Sequence, residues 1–242
     1  MNYNILCAGC SFTKCEWLPK GNTFGGYSYS DFLPENTYNI GEPGAGITKN
    51  LIENFIQTNK GVELTHFIYQ VPSPARQPKD LNDHHPDQFN LRLPMTEDRM
   101  SYFKTNGAKG RKLNHNNIWN LLVRAELIST KNIIRIFKNR HDYINKALNN
   151  IDINVKIIRE RYPNVKMIFF RYETTNIPLL NEFCEGFYKS KLTDYCKDNN
   201  IIYIYEENFN TKWYKKNSLT IDSVHPNKTG HRRIADKIKE CL

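Results

Sequence analysis

Long apolar runs are missing from this sequence. The longest span four or five residues, such as Met167-Ile168-Phe169-Phe170. A membrane-spanning helix needs about 20, so no membrane span is expected. A basic start followed by an apolar stretch of about 7–15 residues is missing too. No secretory signal is recognised, and a cytoplasmic location is expected. There is no internal repeat and no Pro-, Gly- or Ser-rich linker. With 242 residues, the chain reads as one domain over 1–242. Acidic side chains are the minority, 25 against 34 Lys and Arg, for a formal charge of +9.

The positive charge is uneven. Residues 131–171 hold ten Lys or Arg and three acidic residues, a net +7. That excess could face a phosphate backbone or an anionic glycan. The charges alternate with Ile at helical spacing, however, as on a solvated helix face. No nucleic-acid module is present, and nucleic-acid binding is not expected.

Six cysteines stand at 7, 10, 15, 184, 196 and 241. A chain of this length does not need them as staples. Cys7-x-x-Cys10 begins inside the apolar segment Ile5-Leu6-Cys7-Ala8, which reads as a strand. A redox pair wants its first thiol at a helix N-terminus, and a zinc site wants a second ligand pair. Buried free thiols are the expectation.

Apolar periodicity gives the organisation. Strands are predicted at 3–9, 38–40, 65–71, 165–170 and 201–205. A glycine turn, Gly41-Glu42-Pro43-Gly44-Ala45-Gly46, leads into a helix to about residue 57. Further helices are predicted across 115–148, at 151–161, at 179–197 and from Lys228 to Leu242. Asp31-Phe32-Leu33 fits a short helix stopped by Pro34. A polar stretch at about 77–112 exceeds an ordinary connection and reads as an insertion. Continuous apolar strands alternating with amphipathic helices predict an α/β fold, with a mostly parallel five-stranded sheet and helices on both faces. Right-handed crossovers then bring every strand C-terminus to one edge, where ligands bind.

That edge collects the chemistry. Gly9-Cys10-Ser11-Phe12-Thr13 follows the first strand and Gly44 the second. Gln70, Ser73 and Arg76 follow the third. Asp222 and His225 precede the last helix, in a segment that Pro226 keeps irregular. A hydroxyl nucleophile needs a base within reach and an acid group that fixes the base's tautomer. Ser11, His225 and Asp222 are of these types. The N–H groups of Ser11 and Gly44 could point at a developing oxyanion. Singly, each signal has a plainer reading: Ser11 as a turn serine, and Asp222 or His225 as a helix cap.

Other residues also have plainer readings. His84 and His85, with Asp80, Asp83 and Asp87, suggest a metal cluster. Adjacent histidines point apart in extended chain, so a solvated insertion is expected and no metal. His66 reads as a structural histidine and His231 as an inward-facing residue of the last helix. Trp17, Phe24, Tyr27 and Tyr29 follow Ser11. They fit loop packing, or a wall that stacks on sugar rings or lines an acyl pocket.

Three blocks, Ala8-Gly9-Cys10-Ser11-Phe12-Thr13, Asn39-Ile40-Gly41-Glu42-Pro43-Gly44 and Asp222-Ser223-Val224-His225-Pro226-Asn227-Lys228-Thr229-Gly230-His231, resemble those of the SGNH (GDSL-type) hydrolase family. The resemblance covers most of the chain, with 77–160 poorly matched. It implies a flavodoxin-like three-layer sandwich and ester hydrolysis, often of acyl or acetyl groups on lipids and glycans. By position, Ser11 resembles the nucleophile, His225 the general base and Asp222 the group that orients it. Ser11 and Gly44 resemble backbone oxyanion donors. No cofactor is implied, and the expected substrate is a small-molecule or glycan ester.

One block departs. Members place Gly-x-Asn after the third strand, and the Asn is a further oxyanion donor. Here the segment reads Gln70-Val71-Pro72-Ser73-Pro74-Ala75-Arg76. Gln70, Ser73 or Arg76 are the candidates for that donor, or for a substrate-binding group. The departure also leaves a second reading: a weak or inactive binding or structural protein on the same fold.

Overall fold

The computed structural model describes residues 3–9, 13, 27–41, 49–72, 140–172, 186–205, 207, 209–219 and 226–242. Five strands form one sheet: β1 (Ile5–Ala8), β2 (Thr37–Asn39), β3 (His66–Gln70), β4 (Lys166–Phe170) and β5 (Ile202–Ile204). Their order is β2-β1-β3-β4-β5, and every neighbouring pair is parallel. Ile5 stands opposite both Thr37 and His66, and Ile168 opposite Ile202. The three inner strands are the apolar ones. Such strands can bury both faces, which is what a parallel sheet between helices requires.

Alternate residues of each strand enter different cores. Leu6, Ala8, Phe67, Tyr69, Met167 and Phe169 face one side. There they meet α1 (Lys49–Thr58), α2 (Arg140–Arg161) and α3 (Gly186–Asp198), through Ile52, Phe55, Ile151, Ile158 and Leu192. Ile5, Cys7, Ile68, Ile168 and Phe170 face the other side. That side is covered by a 3-10 helix (Tyr29–Phe32), α4 (Thr211–Lys216) and α5 (Lys228–Lys239), through Tyr29, Tyr214, Ile234, Ala235 and Ile238. The result is a three-layer α/β sandwich, as expected. Aromatic rings pack within and between the layers: Phe169 meets Phe67 and Tyr69 edge-on across neighbouring strands, and Tyr29 of the 3-10 helix meets Phe170 of the sheet at 87°. Each fully buried ring of this size stabilises by about 1.5–3 kcal/mol.

The strands lie within a residue or two of the predicted spans, and the details differ in three places. The helices expected at 115–148 and 151–161 are, over the described part, one helix, Arg140–Arg161. Asn149 and Asn150 sit inside it without breaking it, because Ile144, Ile151 and Ile158 keep one face on the sheet. The short α4 has too little periodicity to be foreseen. Asn210 starts it, accepting from the Trp213 N–H at 2.8 Å. The last helix closes at Lys239 rather than Leu242. The insertion at 77–112 and the predicted helical residues 115–139 lie outside the described residues.

Three basic residues of α2 are engaged within the protein. Lys156 pairs with Asp152 at 2.7 Å, Arg159 donates to the Asn199 carbonyl and Arg161 to that of Lys60. Among the described residues no helix is long and apolar enough to cross a membrane.

Candidate functional site

Parallel strands put the ends of β1, β2 and β3 at one edge of the sheet. The chain leaves β1 toward β2, and leaves β3 in the opposite sense toward β4. The switch in direction falls between the ends of β1 and β3, which is where sheets of this order commonly bind ligands. Of the residues singled out from the sequence, Gln70 is described there. Ser11, Gly44, Ser73, Arg76, Asp222 and His225 lie outside the described residues, as do Trp17, Phe24, His84 and His85. The structure does define the anchors on either side of Ser11, and those that close the segment holding Asp222 and His225.

Gly9 opens the first anchor. Its φ is +153°, in the range that favours glycine. A Cβ there would lie 2.3 Å from the Thr13 Oγ1 and 2.8 Å from both Cβ and Oε1 of Gln70. Gln70, 1% exposed, thus fills the space that Gly9 leaves, and its Oε1 accepts from the Thr13 hydroxyl at 3.4 Å. This contact joins the end of β3 to Thr13, two residues after Ser11 in the chain.

Thr13 is the second anchor and is fully buried. Its carbonyl accepts from the Ser28 hydroxyl and from the Asn39 side-chain amide. Its hydroxyl lies 3.5 Å from the Ala8 carbonyl and 3.5 Å from the Tyr29 hydroxyl. Asn39 also reaches the Ser30 Oγ at 2.8 Å, and its Oδ1 accepts from the Gly41 N–H at 3.0 Å. Ser28 caps the 3-10 helix reciprocally with Asp31. A polar cluster therefore stands over the ends of β1 and β2. Sequence periodicity does not reveal it, since its main bonds run between residues 9 to 26 positions apart.

The C-terminal segment is closed as tightly. Asn227 donates its backbone N–H to the Leu219 carbonyl at 2.7 Å and its side-chain amide to the Ser218 carbonyl at 2.8 Å. These bonds tie the two ends of residues 220–225. Asn227 is also the N-cap of α5, accepting from the Gly230 N–H at 2.9 Å. That cap role, left open for Asp222 or His225 by the sequence, belongs to Asn227. Gly230 permits the approach: a Cβ would stand 2.6 Å from the Leu219 carbonyl oxygen and 2.9 Å from Pro226 Cβ. The first turn of α5 lies beside the 3-10 helix, with Lys228 Nζ 4.5 Å from the Tyr27 ring and Arg232 5.2 Å from that of Phe32. Tyr27 adjoins Ser28, which holds Thr13. The anchors from the two ends of the chain are therefore neighbours.

Several other candidates are structural. Tyr29 is fully buried against Phe170, so it is core and not a substrate wall. Burial drives the Cys7 thiol far above its ordinary range, against the opposing hydrogen bond from Tyr29, and it pushes Cys196 up to about 12. Neither is poised as a nucleophile. His66 starts β3, at the opposite edge. Its Nδ1 lies 3.0 Å from the Thr65 hydroxyl, and its Nε2 is buried with no hydrogen-bond partner among the described residues. Burial, then the Lys166 charge, lower its pKa. His231 is fully buried on the inner side of α5, as expected.

No family model matches the chain, and no curated protein does. Solved structures do. A protein from Lactobacillus plantarum matches over 99% of this chain and 96% of its own, at 14% identity and a TM-score of 0.50. The likeness is one of fold. A protein described as a GDSL-like lipase from Parabacteroides merdae shares 15% identity over 99% and 96% of the two chains, with a TM-score of 0.49. An acetylxylan esterase from Geobacillus stearothermophilus shares 12% over 98% and 92%, with a TM-score of 0.48.

Proposed function

We propose that the chain is a serine ester hydrolase that removes an acyl or acetyl group from a carbohydrate or another small ester. The observation that carries this reading is the convergence of two anchors. Thr13, two residues after Ser11, is pinned at the end of β1. The base of 220–225, the segment that ends at His225, is tied by Asn227 beside the same 3-10 helix. A serine and an imidazole on two such supports suit acyl transfer.

In the proposed reaction His225 takes the Ser11 proton as Oγ attacks the ester carbonyl, and Asp222 holds the imidazole in the required tautomer. The N–H groups of Ser11 and Gly44 receive the oxyanion. His225 gives its proton to the leaving alcohol, and the C–O bond breaks. Water, deprotonated by His225, then attacks the acyl-enzyme, and Ser11 regains its proton as the acid leaves.

The test is hydrolysis of a panel of short acyl esters and acetylated xylo-oligosaccharides by wild type and Ser11→Ala. The variant is expected to lose at least about 10³-fold in kcat. Equal rates would remove Ser11 from the mechanism. A second reading, a binding protein on the same scaffold, draws on the altered third block, whose candidate Gln70 is engaged with Thr13. Wild-type protein that hydrolyses none of the panel, and whose Ser11 resists an activated phosphonate, would favour it.

A further inference from the structure

We infer that Asn39 is a positioning residue that ties the nucleophile turn to the glycine turn, and so sets the spacing of the Ser11 and Gly44 N–H groups. The inference rests on the hydrolase reading. Asn39 is the last residue of β2, opposite Cys7 of β1. The next N–H, from Ile40, bonds the Cys7 carbonyl at 2.9 Å. The turns that leave β1 and β2 therefore start side by side. Among the described residues past that point, Asn39 bonds to both segments. Its amide nitrogen donates to the Thr13 carbonyl, two residues past Ser11, and its oxygen accepts from the Gly41 N–H, three residues before Gly44.

The residue type follows from the job. One short side chain must donate to one turn and accept from the other, and a carboxamide does both. The corresponding Asp keeps the acceptor and loses the donor. Ala loses both. The serines hold the amide in place, with Ser30 Oγ at 2.8 Å and Ser28 Oγ at 3.3 Å. Two backbone donors serve one oxyanion only if their separation is held, and a misplacement of about 1 Å can cost about 10²-fold in rate.

The experiment is site-resolved amide hydrogen exchange on the full chain, with Asn39→Ala and Asn39→Asp. In Asn39→Ala, exchange is expected to speed by at least about tenfold both at Gly41 and in peptides spanning Thr13, while α2 and α3 keep their protection. In Asn39→Asp, Gly41 stays protected and the Thr13 peptides alone speed up. If the wild type hydrolyses a short acyl ester, each variant should lose about 30–100-fold in kcat with KM within about threefold. Unchanged exchange at Thr13, or identical profiles for the two variants, would overturn the tie. A raised KM with kcat preserved would overturn the positioning role. Wild-type protein without hydrolysis and without phosphonate labelling of Ser11 would remove the hydrolase reading, and with it the catalytic purpose of the tie. The difference between the two exchange profiles would still decide whether Asn39 joins the turns.

Discussion

A single side chain at the far edge from the candidate site links folding to pH. His66 is buried, and its neutral ring is favoured by desolvation and by the nearby Lys166 charge. Its folded pKa lies below the unfolded value of about 6.5. The stability tied to this ring is therefore complete above about pH 6.5 and is lost as pH falls through the lower folded pKa. His66→Gln should flatten that acid limb. Urea midpoints measured from about pH 7 to pH 5 test this, and a variant as acid-sensitive as the wild type would contradict it. The residue scale is also where sequence reading reached least. Thr13 and Asn39 look like ordinary loop and strand residues, because most of their side-chain partners are 9 to 57 positions away. Ser11, Asp222 and His225 are proposed because the chemistry needs groups of those types, and they lie outside the described residues. The anchors beside them were not legible, since almost any polar residue can serve as one.

Elements carry their own signals unevenly. The inner strands are legible from unbroken apolar runs, and α1 and α5 from one-sided periodicity, with Ile52 and Phe55 or Ile234 and Ile238 facing inward. The unity of α2 was hidden by Asn149 and Asn150, which have low helix propensity that tertiary packing overrides. In α5 the decisive residue is Gly230. Ala there would gain up to about 1 kcal/mol of helix propensity. It would also push Cβ to 2.6 Å from the Leu219 carbonyl oxygen, a backbone atom that cannot rotate away. Overpacking of this kind typically costs about 1–3 kcal/mol, so the net effect is a loss. Gly230→Ala should lower the urea midpoint and reduce ester hydrolysis further than the same loss of stability elsewhere does. Activity equal to that of a stability-matched core variant would separate α5 from the site.

On the scale of the whole molecule, one sheet is the shared wall of two cores, and neither core exists without it. Phe169 is fully buried and faces the core under α1, α2 and α3, while its neighbour Phe170 faces the core under the 3-10 helix. Removing one ring should weaken both sides together. Phe169→Ala is expected to cost about 3–5 kcal/mol and to leave a single transition by far-UV and near-UV circular dichroism. Two separated transitions would show that the layers melt independently. The global fold was legible because a strand–helix alternation with right-handed crossovers admits few arrangements. The observed strand order is one of these, and it alone decides which turns become neighbours.

Positions 9 and 70 lie far apart in the chain but claim one volume: a missing methyl at the first is what lets an amide settle at the second. Changes at these two positions are therefore bound to travel in pairs. Enlarging residue 9 evicts the tenant at 70, and shortening residue 70 hollows out the ground beneath Thr13. An engineer seeking a new donor at the end of β3 would have to redesign both at once.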